Sequence, residues 1–155
     1  MSFLKNDDER ILVLVVDLDN DIGKEGIKTP IIGYDNLLKA AIDFGVKKPH
    51  DSDLNAIFYS LQIFKRLHTK GYDVDVALVA GDDKDYLSAI TKVSRELEIV
   101  KHVTNFTSIY LVSDGVVDEK VVPLLYNYGR VIGVDRIIVE QSRGIEETYI
   151  LLGRY

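Results

Sequence analysis

The chain has 155 residues, of which 46% are hydrophobic and 28% are charged, as expected for one globular domain. It contains 0 Cys, which excludes a disulfide scaffold, a thiolate metal site and a thiol nucleophile. The net charge of −6 disfavours non-specific binding to nucleic acid, because phosphate backbones attract basic surfaces. Residues 1–155 contain no internal repeat or linker, so we expect a single soluble domain with no nucleic-acid partner.

Three short runs of β-branched and other apolar residues predict the central sheet. They cover residues 11–16, 74–80 and 108–112, and each is closed by turn-forming Gly or Asp. Strands of this kind are covered by helices on both faces, and the helix-length segments between them imply crossover connections. We therefore expect an α/β fold, specifically a three-layer Rossmann-like sandwich with a mostly parallel central sheet.

Helices are predicted between these strands, with two in series between the first two strands. Residues 53–70 give the strongest pattern, because apolar side chains recur at three- and four-residue spacing and Asp51, Ser52 or Asp53 can cap the helix. This apolar stripe consists of Leu54, Ile57, Phe58, Leu61, Phe64 and Leu67. Residues 36–44 and 85–98 give two further helices, whose apolar faces consist of Leu37, Leu38, Ala41 and Ile42 and of Leu87, Ile90, Val93 and Leu97.

The last third of the chain gives weaker patterns. Residues 118–127 are predicted to be helical, although Pro123 removes one backbone hydrogen bond. Residues 131–140 form either one long strand or two short ones, and residues 146–155 are predicted to be helical.

Acidic residues follow the predicted strands at their carboxyl ends, where open parallel sheets bind ligands. Asp17, Asp19 and Asp21 follow the first strand, Asp82 the second and Asp114 the third. If the first three lie in extended backbone, their side chains share one side. Two unit charges about 4 Å apart repel by roughly 4 kcal/mol at an effective dielectric near 20. Such a cluster must spread into water, take up protons or hold a cation.

Two interpretations of these carboxylates remain open. Oxygen ligands without Cys or grouped His suit Mg²⁺, Mn²⁺ or Ca²⁺ rather than zinc. The predicted metal ligands are Asp17, Asp19, Asp21 and Asp114. Alternatively, these residues form turns and cap helices, as Asp often does. A calcium-binding helix-loop-helix is excluded, because Ile22 and Lys28 stand where its loop requires Gly and Glu.

The segment Ser113-Asp114-Gly115 offers a second kind of chemistry. A tight turn there could hold a phosphate through backbone N–H groups and the Ser113 hydroxyl, although a plain strand-to-helix turn also needs the flexible Gly115. The chain has neither a Gly-Lys-Ser/Thr phosphate loop nor a Gly-x-Gly-x-x-Gly fingerprint, so dinucleotide binding is not expected. His50, His68 and His102 are scattered, which argues against a zinc site or a histidine-based triad.

Several motifs together resemble one family along almost the whole chain. They are VDLDNDIG at 16–23, PIIG at 30–33, DSDLNAIF at 51–58, VAGD at 79–82, SDG at 113–115, DE at 118–119, QS at 141–142 and ETY at 147–149. In this order they resemble the archaeal family catalogued as domain of unknown function 373. The resemblance adds further candidate ligand-binding residues to Ser113 and Gly115, namely Asp53, Asn55, Asp82 and Gln141.

The same resemblance implies a cellular setting. Members of that family look like membrane proteins that begin with a soluble part and continue with several hydrophobic segments. We therefore expect this chain to be the cytosolic portion of a longer protein, placed at the cytoplasmic face of a membrane and able to form a homodimer.

Three functions are compatible with these patterns. The favoured one is a regulatory module that binds a small anion or a nucleotide in the acidic strand-end cleft. The alternative is a divalent-metal-dependent phosphoryl-transfer or phosphohydrolase enzyme, in which the metal polarises a phosphoryl group. A version with Asp17 as a phosphorylated nucleophile, as in haloacid dehalogenases, fits poorly because Gly81-Asp82-Asp83 precedes Ser113. A purely structural assembly domain is the third.

Overall fold

The apolar runs of the chain form a five-stranded sheet in the computed structural model, which describes residues 8–115 and 120–137. The strands are β1 (Ile11–Asp17), β2 (Ile31–Ile32), β3 (Val74–Ala80), β4 (Ser108–Ser113) and β5 (Arg130–Arg136). Their order across the sheet is β2-β3-β1-β4-β5. β1 pairs in parallel with β3 and β4, β4 pairs in parallel with β5, and β2 is antiparallel to β3. The predicted α/β fold with a mostly parallel sheet is confirmed.

Five helices are described. They are α1 (Asp21–Lys24), α2 (Tyr34–Lys47), α3 (Ser52–Thr69), α4 (Tyr86–Thr104) and α5 (Val122–Leu125). The two predicted helices in series between the first two apolar strands are α2 and α3, whereas α1 and the two-residue β2 were not predicted. No described helix combines the length and the apolar composition that crossing a membrane would require.

The core lies on both faces of the sheet, because successive side chains of β1 point to opposite sides. Ile11, Val13 and Val15 pack with buried residues of α2 and α3, and Leu12 and Leu14 pack with buried residues of α4. Every residue of β1 is buried. This double coverage explains why the strand reads as a continuous apolar run.

Two predicted helices were too short. α2 continues through Gly45, where a Cβ atom would lie 3.3 Å from the Leu54 side chain, so this glycine serves close packing of α2 on α3 rather than ending α2. α4 continues to Thr104 because Val100 and Thr104 extend its buried face, and it ends at Asn105 in the left-handed conformation with φ 55°.

The predicted apolar faces were wrong at single positions. Phe58 of α3, Leu87 of α4 and Ile42 of α2 are exposed. α3 instead buries the small side chains Ala56 and Ser60 against the sheet. A helix face predicted from large apolar residues alone is therefore rotated away from the face that packs on the sheet.

The helix predicted over residues 118–127 is reduced to the four-residue α5, with Pro123 in its first turn, where a missing N–H costs least. The segment predicted over 131–140 is a single described strand, β5, with a bulge opposite Ile109 and Tyr110. Residues 120–121 and 126–127 of the predicted helix form turns instead, whereas residues 118–119, residues 138–140 and the helix predicted over 146–155 lie outside the described residues.

The connections between the strands run in opposite directions from β1 and leave a crevice at one edge of the sheet. From β1 the chain passes through α2 and α3 to β3 on one side, and α4 then leads to β4 on the other side of β1. Ligands of open α/β sheets bind at such a switch point, outside the carboxyl ends of the strands. In this fold the switch point lies between Asp17 of β1 and the residues that follow Ser113 of β4.

Candidate functional site

A cavity of about 530 Å³ lies at the carboxyl ends of β1, β3 and β4. The α3 and α4 helices begin beside it, and the short α1 helix forms another wall. Its lining is dominated by carboxylates and includes a single basic side chain among the described residues. The lining residues are Asp17, Leu18, Asp19, Asp21, Lys24, Ser52, Asp53, Asp82, Asp83, Asp85, Tyr86, Ala89, Asp114 and Gly115.

A tight turn after β1 positions the first acidic residues. The Asp17 carbonyl accepts a hydrogen bond from the Asn20 N–H at 3.1 Å, and Asn20 adopts the left-handed conformation with φ 57°. The Asp17 carboxylate accepts the N–H groups of Asp21 at 3.2 Å and Ile22 at 2.9 Å. The extended backbone considered for Asp17, Asp19 and Asp21 is therefore absent, and the turn brings these side chains together instead.

Four carboxylates meet at this turn and define the acidic cluster, which consists of Asp17, Asp19, Asp21 and Asp53. One carboxylate oxygen from each lies within 4.8 Å of the others. Asp17 is 2% exposed and Asp53 is 7% exposed. The fourth member differs from the sequence prediction, since Asp53 from the first turn of α3 takes the place that was assigned to Asp114.

Burial is the largest cause of the pKa shifts of the two buried members, Asp17 and Asp53. It raises the pKa of Asp17 to about 7, with a further contribution from a hydrogen bond with Asp19. Burial also raises the pKa of Asp53 to about 11, and a hydrogen bond with Asp114 adds to the effect. Carboxylates that are removed from water and placed beside other carboxylates favour their neutral forms. The cluster therefore holds protons at neutral pH unless another cation replaces them.

Asp114 lies next to the acidic cluster rather than inside it. It follows β4, is hydrogen-bonded to Asp53, and accepts the Ser52 hydroxyl at 3.2 Å. Asp53 thus connects Asp114 with Asp17, whose charge also raises the pKa of Asp53. The predicted meeting of the β1 and β4 strand ends in one cavity is present, but α3 supplies its centre.

Other acids in the cavity serve as caps. The Asp82 carboxylate accepts the Ser88 hydroxyl and the Lys84 N–H, and these bonds hold the pKa of Asp82 below its usual value. Asp85 is the N-cap of α4 and accepts the Ser88 N–H at 2.8 Å. The interpretation of the acidic residues as turn formers and helix caps therefore applies to Asp82 and Asp85.

Lys24 joins two walls of the cavity. Its ammonium group lies 3.3 Å from an Asp21 oxygen and 3.6 Å from an Asp83 oxygen. Its hydrogen bond with Asp21 raises the pKa of Lys24. Neither Lys24 nor Tyr86, which also lines the cavity, was identified from the sequence, because no motif distinguishes a single Lys or Tyr from the other surface residues.

The remaining predicted site residues have different positions. Ser113 is buried, and its hydroxyl donates to the Gly115 carbonyl at 2.6 Å, so this group is engaged within its own turn while Gly115 lines the cavity. Asn55 is exposed on α3 and is not among the lining residues. Gln141 lies outside the described residues.

The fold and the cavity define an α/β domain with an acidic cavity at the carboxyl ends of its strands. The chain belongs to the family described as "Domain of unknown function (DUF373)", which it matches over residues 10–155. It is 40% identical over 144 residues to an uncharacterized protein of Archaeoglobus fulgidus, covering 92% of this chain and 42% of the relative. It is 38% identical over 146 residues to an uncharacterized protein of Methanocaldococcus jannaschii, covering 93% and 40%.

The chain therefore spans about two fifths of the length of these curated relatives. No solved structure matches it significantly.

Proposed function

We propose that this domain binds a divalent cation, Mg²⁺ or Mn²⁺, in the acidic cluster and uses it to recruit a phosphate-bearing small ligand. The observation that carries the proposal is the convergence of four carboxylates within 4.8 Å, two of them buried. The four come from the end of β1, the following turn, α1 and α3. Keeping such groups together costs free energy that a bound cation would offset.

The donor set favours a hard cation. All four groups of the cluster are carboxylates, which suit Mg²⁺ and Mn²⁺, whereas zinc sites use Cys and His ligands. The three His residues, His50, His68 and His102, are exposed and are absent from the cavity lining. A hydrated Mg²⁺ ion typically takes one or two carboxylates and keeps positions for water and phosphate oxygens.

The same charges explain why the anion needs the metal. A bare phosphate entering this cavity would meet several carboxylates and a single basic side chain among the described residues, Lys24. A bound divalent cation reverses the local charge and gives the phosphate a partner. The domain is then a cation-dependent binding module, and the ligand-bound state is the signal that it passes on.

The position in the fold supports the same site. We propose that the domain is a three-layer Rossmann-like sandwich, because buried helical residues pack on both faces of β1 and the cavity lies at the strand-order switch point. Doubly wound sheets of this kind bind ligands at that edge.

Thermal unfolding with and without Mg²⁺ tests the proposal. We expect millimolar Mg²⁺ to raise the Tm of the wild type, since a ligand that binds only the folded state stabilises it. Asp53→Asn should abolish the shift. Asp75→Asn is the matched control, because Asp75 is partly buried in β3 and is absent from the cavity lining. A wild-type Tm that neither Mg²⁺ nor Mn²⁺ changes would contradict the proposal.

A metal-dependent phosphoryl-transfer or phosphohydrolase activity is the second candidate. The cluster of four carboxylates exceeds the one or two that Mg²⁺ typically needs, which leaves groups that could move a proton during phosphoryl transfer. Assaying phosphate esters with Mn²⁺ separates the two functions. Turnover that Asp17→Asn removes would establish the enzyme, and tight ligand binding without turnover would establish the binding module.

We further propose that the domain is the cytoplasmic part of a longer membrane protein and acts as a homodimer. The two archaeal relatives are longer than this chain, which agrees with a domain of a longer protein, and the membrane location rests on the family resemblance alone. Fractionating cells that produce a full-length relative tests the location, and sedimentation of the isolated domain tests the oligomeric state. Recovery of the relative in the soluble fraction, or a strictly monomeric domain, would contradict the respective part.

A further inference from the structure

Tyr86 is an unusual member of the cavity lining. It is the first residue of α4, its side chain lines the cavity, and it is 55% exposed. Among the described parts of the chain it makes no side-chain hydrogen bond and no ring contact. Exposed aromatic rings beside a cavity provide large contact area at a small cost in conformational entropy. The ring is therefore available to a ligand.

Some charged groups around the cavity already have structural hydrogen bonds, and others can contact a ligand. Asp82 and Asp85 are occupied as caps in the loop before α4 and at its N-terminus. Lys24 pairs with Asp21 and Asp83 at more than 3 Å, and half of its side chain is exposed. Surface ion pairs of this kind contribute little free energy and exchange partners readily. Lys24 can therefore turn from Asp83 to an anionic ligand while the acidic cluster holds a cation.

These features together describe one class of ligand. We propose that the cavity binds a nucleotide, with the base stacked on Tyr86 and the phosphates held by Lys24 and by the cation in the acidic cluster. This inference rests on the proposed cation-dependent function and names its ligand. The volume of about 530 Å³ is within the range of sites for small molecules of this size.

An organic polycation such as spermidine is the competing occupant of an acidic cavity beside an aromatic ring. Lys24 disfavours it, because an ammonium group already occupies the rim between Asp21 and Asp83 and would repel a second one. The nucleotide uses Lys24 as an attractive group instead. The two occupants also differ in their response to Mg²⁺, which assists binding of the nucleotide and competes with binding of the polycation.

Isothermal titration calorimetry of the whole chain distinguishes these cases, with ADP, pyrophosphate and spermidine as probes in the presence and absence of Mg²⁺. With Mg²⁺, we expect ADP to bind about tenfold more tightly than pyrophosphate, as one stacked base provides. Tyr86→Ala should remove this advantage and leave the Kd of pyrophosphate unchanged, whereas Tyr86→Phe should retain it. Tyr126→Ala is the matched control, because Tyr126 is 60% exposed and does not line the cavity.

Three results would overturn the inference. They are equal affinities for ADP and pyrophosphate, an equal effect of Tyr86→Ala on both probes, and tighter binding of spermidine than of ADP. Direct titration with Mg²⁺ identifies which proposal has failed. If the wild type binds Mg²⁺ but no ADP, the cation site stands and the nucleotide inference fails. If it binds no Mg²⁺, both fail.

Discussion

Asp53, in the first turn of α3, lies beside Asp114, which follows β4 and raises the pKa of Asp53. Burial is the larger cause of this shift, and both effects favour the neutral form of Asp53. The pair lies beside Asp17, so α3 joins the ends of β1 and β4 at the switch point of the sheet. Neighbouring strand ends alone would not bring these acids into one group.

The proton held by Asp53 predicts that protons are released when a metal ion binds. A divalent cation in the acidic cluster needs ionised carboxylates, so binding at neutral pH should release protons, and affinity should rise with pH. Calorimetric titration with Mn²⁺ in two buffers of different ionisation enthalpy measures the number released. Identical heats for the wild type in both buffers would contradict the prediction.

Burial of Asp17 predicts a specific dependence of stability on pH without metal. Its pKa is about 7 in the folded state, whereas an unperturbed Asp side chain has a pKa of 3.8. The folded state therefore binds more protons than the unfolded state between these values, so the stability from the neutral carboxyl is complete below pH 3.8 and lost as the pH rises through about 7. Urea denaturation at several pH values should detect the decline, and Asp17→Asn should make it shallower while leaving the part that is due to Asp53. A stability that rises over this interval in the wild type would contradict the account.

Gly81 predicts a strict limit on side-chain size where β3 ends and packs against α4. A Cβ atom there would overlap the Leu18 carbonyl oxygen and lie 2.8 Å from the Ala89 Cβ. Gly81→Ala should therefore lower the free energy of unfolding by about 1–3 kcal/mol. Gly115→Ala is the control, because a Cβ atom there meets nothing within 4 Å. Denaturant unfolding of both variants checks this, and equal stabilities would contradict it.

Glu96 predicts a second sensitive position beneath the cavity. Its buried carboxylate accepts the Ala80 N–H at 3.0 Å, the Thr29 hydroxyl at 2.8 Å and the Lys92 ammonium at 2.6 Å. Glu96→Ala should cost about 3 kcal/mol of stability, because it leaves these donors without their acceptor. The exposed Glu98 on the same helix provides the control variant Glu98→Ala. A loss no larger than that of the control, measured by denaturant unfolding, would contradict this role.

Much of the fold could be predicted because burial on both faces leaves a direct signal in the sequence. Residues 74–80 were identified as a strand with the bounds that β3 has, and α3 differs from its prediction by one residue at each end. β2 has only two residues, too few to form a pattern. The exposed Leu87 shows that large apolar residues do not by themselves identify the packed face of a helix.

The candidate site was predictable only in part. Asp17 and Asp114 were placed at one edge because strand ends converge there, and both line the cavity. The role of Asp53 could not be predicted from spacing, since it depends on how α3 lies across the sheet. Lys24 likewise reaches Asp83 through tertiary structure, across 59 positions of the sequence.

Anomalous diffraction from crystals of the domain grown with Mn²⁺ tests the cation site most directly. The account predicts one strong anomalous peak within coordination distance of the carboxylates of Asp17, Asp19, Asp21 and Asp53, and loss of that peak in Asp53→Asn. Absence of a peak in the cavity at millimolar Mn²⁺, or a peak bound only by surface residues elsewhere, would contradict it.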